Sequence, residues 1–122
     1  MDELIRNMTG KTTSEMKVSP DQFIDLYNKN EAILLDIRYP FETACWGTKM
    51  ALEIPLTELP DRLDEIPSDK LIVCTCPDNF RSNIACMYLQ SKGVSSRMLF
   101  GGLLELAARL KGGGAKDLHL KD

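Results

Sequence analysis

Histidine is almost absent from this chain: one residue, His119, sits near the C-terminus. A Cys–His or Ser–His catalytic pair in the body of the chain is therefore excluded. Basic charge is not in excess, since Lys plus Arg is 15 against 18 for Asp plus Glu, a net −3. That balance argues against a nucleic-acid binder, which carries a basic stripe. No window approaches the roughly 18 to 20 apolar residues of a membrane-spanning helix. The start, Met1 to Asn7, has no basic cluster and no apolar run, which predicts no secretory leader and a cytoplasmic protein with reduced thiols. There is no repeat and no low-complexity tract. Four cysteines are too few to staple a small disulfide scaffold, and a 122-residue chain has room for a core that needs no staples. Cys74 and Cys76 are one residue apart, and no second Cys or His pair follows, so a zinc site is not expected.

Hydrophobic residues make up 43%, enough for one packed domain. Residues 1–17 are polar without a clear period and read as an N-terminal extension, with Lys11 to Glu15 as linker. Residues 18–111 form the domain, and Gly112-Gly113-Gly114 releases a tail, 112–122. Ser19-Pro20-Asp21-Gln22 is a helix start: an N-cap, a proline at the first position and a capping box. Phe23, Ile24 and Tyr27, with Leu26, give the helix its apolar face. Ala32 to Ile37 is a short apolar run of the kind buried on both faces of a sheet, and Asp36 and Arg38 follow at its end. Leu52 to Pro55 reads as a shorter strand. Leu56, Leu59, Leu63 and Ile66 recur at helical spacing before Pro67. Leu71 to Thr75 is the clearest strand. Ser82 to Lys92 is helical, with Gly93 at the C-terminal cap position. Arg97 to Phe100 is a fourth strand, and Leu103 to Leu110 a last helix. Strands alternating with helices imply an α/β fold, a mostly parallel central sheet flanked by helices on both faces. Ligands bind such sheets at the C-terminal ends of the strands.

The segment at the end of the clearest strand is Cys76-Pro77-Asp78-Asn79-Phe80-Arg81-Ser82. A tight strand-to-helix loop turns backbone N–H groups inward, and the helix start adds its positive dipole end. Arg81 adds a permanent cation. Together these favour a thiolate, which makes Cys76 the candidate nucleophile. Four residues separate Cys76 from Arg81, a ring suited to one sulfur atom. A cysteine phosphatase or arsenate reductase needs a wider ring for a tetrahedral oxyanion and ranks third. Cys74 and Cys86 read as core. Cys45 reads as a half-buried loop residue or as a resolving thiol for Cys76. Trp46 either lines the site or packs on the surface. Arg38 and Glu42 admit the plainer reading of a solvated salt bridge.

From Val18 to Leu110 the chain resembles the rhodanese family of sulfurtransferases. Asp36-Ile37-Arg38 matches the Asp-Val-Arg signature, Glu42 the acid four residues on, and Ile54-Pro55-Leu56 the Ile-Pro-Leu motif. Cys76 to Ser82 matches the catalytic loop in length and at its Cys, Arg and Ser positions. Phe100-Gly101-Gly102 matches the turn before the last helix. The resemblance implies a rhodanese-like fold and a Cys76 persulfide that moves sulfur from a sulfane sulfur donor to a thiol or protein acceptor, without cofactor or metal. It implies that residues 78–82 turn N–H groups toward the persulfide, with help from the Ser82 hydroxyl. Arg81 would shape the loop through an ion pair with an acid such as Glu42, and Asp36 and Arg38 would lie in the layer below. A monomer or dimer is expected. The runner-up is the same fold serving as a binding or regulatory module with little turnover.

The loop also departs from the family pattern, in which a basic residue and a glycine are usual. Pro77 removes one N–H donor. With no glycine in the loop, Asn79 is the residue expected to take any positive-φ position. Asp78 places a negative charge at the entrance, so thiosulfate is expected to be a weak donor. Phe80 adds an apolar rim. Trp46-Gly47-Thr48 stands where the family has Gly-His-Ile.

Overall fold

A computed structural model describes residues 1–121. The Ser19 cap forms as the sequence implies: the Gln22 amide donates to Ser19 Oγ at 3.1 Å, and the Ser19 amide to Gln22 Oε1 at 2.8 Å. Two short helices precede it, α1 (Asp2–Arg6) and α2 (Gly10–Glu15). The stretch expected to be linker is thus helical, because Thr9 and Thr12 cap each other in a capping box. Then follow β1 (Lys17–Val18), α3 (Pro20–Asn28), β2 (Ala32–Asp36), α4 (Pro40–Cys45) and β3 (Ala51–Glu53). β4 (Leu71–Thr75), α5 (Phe80–Ser91), β5 (Ser96–Leu99) and α6 (Gly102–Leu110) complete the order.

Among the described residues five strands form one parallel sheet, in the order β1-β5-β4-β2-β3. β4 is central and pairs Cys74 with Leu35 of β2 and with Met98 of β5. Successive side chains along a strand face opposite sides. Ile72 and Cys74 accordingly join Leu35 under α5, with Ala85, Cys86 and Leu89. Val73 and Leu34 face the other way, against Phe23, Tyr27, Leu103 and Leu106 of α3 and α6. Each face of the sheet therefore carries its own core, which explains the unbroken apolar runs in β2 and β4.

The helix expected from Leu56 to Ile66 is instead a pair of 3-10 segments, Leu56–Asp61 and Leu63–Glu65. Pro60 lies inside the first, has no N–H to donate and disfavours a continuous α-helix. Its apolar spacing still places Leu59 and Ile66 in the core. The tail is not released either. It forms a 3-10 segment, Gly112–Asp117, and is held by Asn28, which donates to the Asp117 carbonyl and accepts from the His119 amide, both at 2.8 Å. Among the described residues no helix is long and apolar enough to cross a membrane.

Candidate active site

Cys76 stands one residue past the end of β4, beside the C-terminal end of β2, where Asp36 lies. Four residues on, α5 begins at Phe80, two positions earlier than its apolar pattern suggests, where Asp78 Oδ1 accepts the Phe80 amide at 3.1 Å. The loop is backed by the start of α6. The Leu103 amide donates to the Cys76 carbonyl at 2.8 Å, and the Leu104 amide to the Pro77 carbonyl at 3.3 Å. A Cβ on Gly102 would lie 2.2 Å from the Asp78 carbonyl oxygen, so only glycine permits this approach, at φ +66°.

Asn79 does not take a positive φ; it sits at −120°. Its Oδ1 instead accepts the Gly101 amide at 2.7 Å and ties the loop to the turn behind it. The left-handed conformations occur at Gly101 and Gly102, outside the loop, which leaves the loop free to do without a glycine.

Cys76 has no exposed surface. The Ser82 amide donates to Sγ at 3.4 Å, which places one backbone donor of α5 directly on the sulfur. The Phe80 amide is taken by Asp78 instead, so the donors of residues 78–82 do not all converge on Sγ. The Ser82 hydroxyl donates to the Asn79 carbonyl at 3.1 Å and braces the loop without touching sulfur. The thiol itself points at Asp78, 3.5 Å from its carbonyl oxygen and 3.8 Å from Oδ1.

Arg81 leaves the loop sideways and meets Glu42 of α4 in a two-pronged pair, 2.6 and 2.7 Å. Glu42 also accepts the Tyr39 amide, and the Tyr39 ring lies 5.5 Å from the Arg81 guanidinium carbon. The bond from Arg81 holds the Glu42 carboxyl well below its ordinary value of 4.5, at about 2. Glu42 is thus not paired with Arg38. Asp36 takes that partner, with Arg38 Nη2 at 2.7 Å and Nε at 3.0 Å, both side chains fully buried. Trp46 covers Arg38 at 4.2 Å and also walls an apolar cavity of about 350 Å³ between α6 and the tail. It packs on the supporting layer.

Cys45 ends α4, where a polar loop was expected, and is exposed; all four cysteines are free thiols. Burial pushes the Cys74 thiol well up and the Cys86 thiol up, as suits inert core residues. Phe80 is exposed at the loop, and Phe41 on the neighbouring helix is exposed too. His119 is exposed in the tail. Among the described residues no cluster of three His, Cys, Asp or Glu side chains is placed to hold a metal. The role of Tyr39 and the helix it starts went unread in the sequence, although Pro40 at the first position and Glu42 at the third are a helix-start signal.

The fold and loop define an α/β domain with a buried cysteine at a strand-to-helix junction, held by the first turn of the following helix. The family model described as rhodanese-like domain matches residues 19–109, and the chain belongs to that family. A sulfurtransferase of Allochromatium vinosum is 36% identical over 83 residues, 67% of this chain and 78% of that protein. The human single-domain sulfurtransferase TSTD1 superposes with a TM-score of 0.70 at 25% identity, over 77% of this chain and 96% of that one. The reduced CoADR-RHD of Bacillus anthracis matches at 33% identity and a TM-score of 0.69, over 77% of this chain, which spans only 17% of that longer one.

Proposed function

We infer that the protein is a sulfurtransferase that carries sulfane sulfur on Cys76. The observation that carries this reading is the Ser82 amide on Cys76 Sγ at 3.4 Å, at the start of a helix whose Arg81 is clamped by Glu42. The helix start and this donor place partial positive charge beside the sulfur, where a negatively charged sulfur would develop. The thiolate attacks the outer sulfur of the donor, the donor's S–S bond breaks, and the leaving group departs with the electron pair. An acceptor thiolate then attacks the persulfide's outer sulfur and returns Cys76 as the thiolate. Residues 77–82 bind the persulfide, Asp36, Arg38 and Glu42 support the loop, and Cys45 is the resolving thiol if one acts. The setting is cytoplasmic, the acceptor is a thiol or a protein bearing one, and thiosulfate is a poor donor. Relatives named sulfurtransferases support the reaction class.

The second reading, a binding or regulatory module, draws on the full burial of Cys76. Turnover separates the two. With an organic persulfide and excess dithiothreitol, the carrier reading expects catalysed sulfide release that disappears in Cys76→Ser. A rate no higher than that of Cys76→Ser favours the module.

A further inference from the structure

Asp78 stands at the mouth of the loop in sequence, yet its carboxylate is turned inward. Oδ1 accepts the Phe80 amide at 3.1 Å and lies 3.8 Å from Cys76 Sγ. Hydrogen bonds, first from Phe80 and then from the Asn79 amide and the Cys76 thiol, hold this carboxyl below its ordinary range. The first N–H groups of a helix are a cradle for an incoming anion. Here the chain fills part of that cradle with an anion of its own. A second observation is independent of those bonds: Cys76 has no exposed surface, whereas Asp78 is exposed. The thiol is closed off beside a side chain that has open solvent to turn into.

We propose that Asp78 determines the class of sulfur donor, excluding inorganic dianions and admitting organic persulfides, which react through their protonated, uncharged form R–S–SH. The proposal rests on the carrier reading above and names its substrate class. With a donor R–S–SH, the Cys76 thiolate bonds to the outer sulfur, the S–S bond of the donor breaks, and R–S⁻ leaves with the electron pair. The proton stays on the transferred sulfur, one negative charge stands on each side, and no oxidant is consumed. The neutral product Cys76–S–SH points its S–H at the Asp78 carboxylate, as the thiol does now. With thiosulfate the same attack displaces sulfite, and a dianion must approach the thiolate beside the Asp78 carboxylate. Even with water-like screening, a dianion held within about 5 Å of one extra negative charge is disfavoured roughly tenfold.

The test compares wild type with Asp78→Asn, which keeps the shape and an oxygen for the Phe80 amide. The apparent kcat/KM is measured at one pH for thiosulfate and for 2-hydroxyethyl persulfide, whose side chain and reacting protonated form carry no charge. The ratio of thiosulfate to persulfide should rise by about tenfold or more in Asp78→Asn. The wild-type rate with thiosulfate should also climb with ionic strength more steeply than the variant's, a response that a purely structural role would not produce. A ratio changed by less than about twofold, with persulfide turnover intact and equal salt dependence, overturns the role of Asp78 alone. Failure of both proteins to take sulfur from either donor overturns the carrier reading and this proposal with it.

Discussion

Replacing Glu42 by Gln removes the charge that clamps Arg81 while keeping an oxygen for the Tyr39 amide, so the cap of α4 survives and the ion pair does not. The magnitude follows from the pair itself. A carboxyl held at about 2 instead of 4.5 corresponds to a ceiling of about 3 kcal/mol at about 1.4 kcal/mol per pH unit. Both side chains keep partial solvent contact, 24% for Arg81 and 21% for Glu42, so screening lowers this figure. We expect Glu42→Gln to cost about 1 to 2 kcal/mol at neutral pH, above most surface pairs because the geometry is two-pronged. The depressed value sets the sign of the pH dependence. The pair's contribution is fully present above about 4.5 and is lost as pH falls toward about 2. Urea denaturation of both proteins at a series of pH values reads this as a difference in midpoint that shrinks across that window. A difference below about 0.3 kcal/mol at pH 7, or one that does not change with pH, would mean that the Arg81–Glu42 pair does not stabilise the fold.

Two further substitutions, with Gly113→Ala as a control, probe the residues that back the loop. Arg38→Ala leaves the fully buried Asp36 carboxylate without its partner and should destabilise by about 3 to 5 kcal/mol in urea denaturation; a cost below about 1 kcal/mol would mean the pair is not structurally required. Gly102→Ala drives a Cβ to 2.2 Å from the Asp78 carbonyl at a positive φ and should cost about 1 to 3 kcal/mol while slowing sulfur loading, whereas Gly113→Ala, with open space around it, should stay within about 0.5 kcal/mol of wild type.

The buried strands were legible because both faces of the sheet are covered, which writes β2 and β4 as plain apolar runs in the sequence. Gly93 and the Ser19 cap were legible because each solves a local backbone problem with a characteristic residue. The segment around Pro60 misled because its spacing satisfies burial equally well on 3-10 turns. α4 went unread because it buries no residue and so shows no apolar face. The tail looked free because its anchors, Asn28 and the Tyr27 hydroxyl, lie more than 80 positions away in the chain. At the site, the residue types and the Arg81–Glu42 pairing were readable. The inward turn of Asp78 and the tie from Asn79 to Gly101 were not, because they depend on which way a side chain points.

In the carrier reading Cys76 itself holds the sulfur. Intact-mass measurement after incubation with an organic persulfide, followed by peptide mapping under non-reducing conditions, tests it most directly. The expected result is a gain of about 32 Da, one sulfur atom, placed on Cys76, removed by dithiothreitol and absent in Cys76→Ser. A protein that gains no mass, or gains it on Cys45 with Cys76 unmodified, would contradict it.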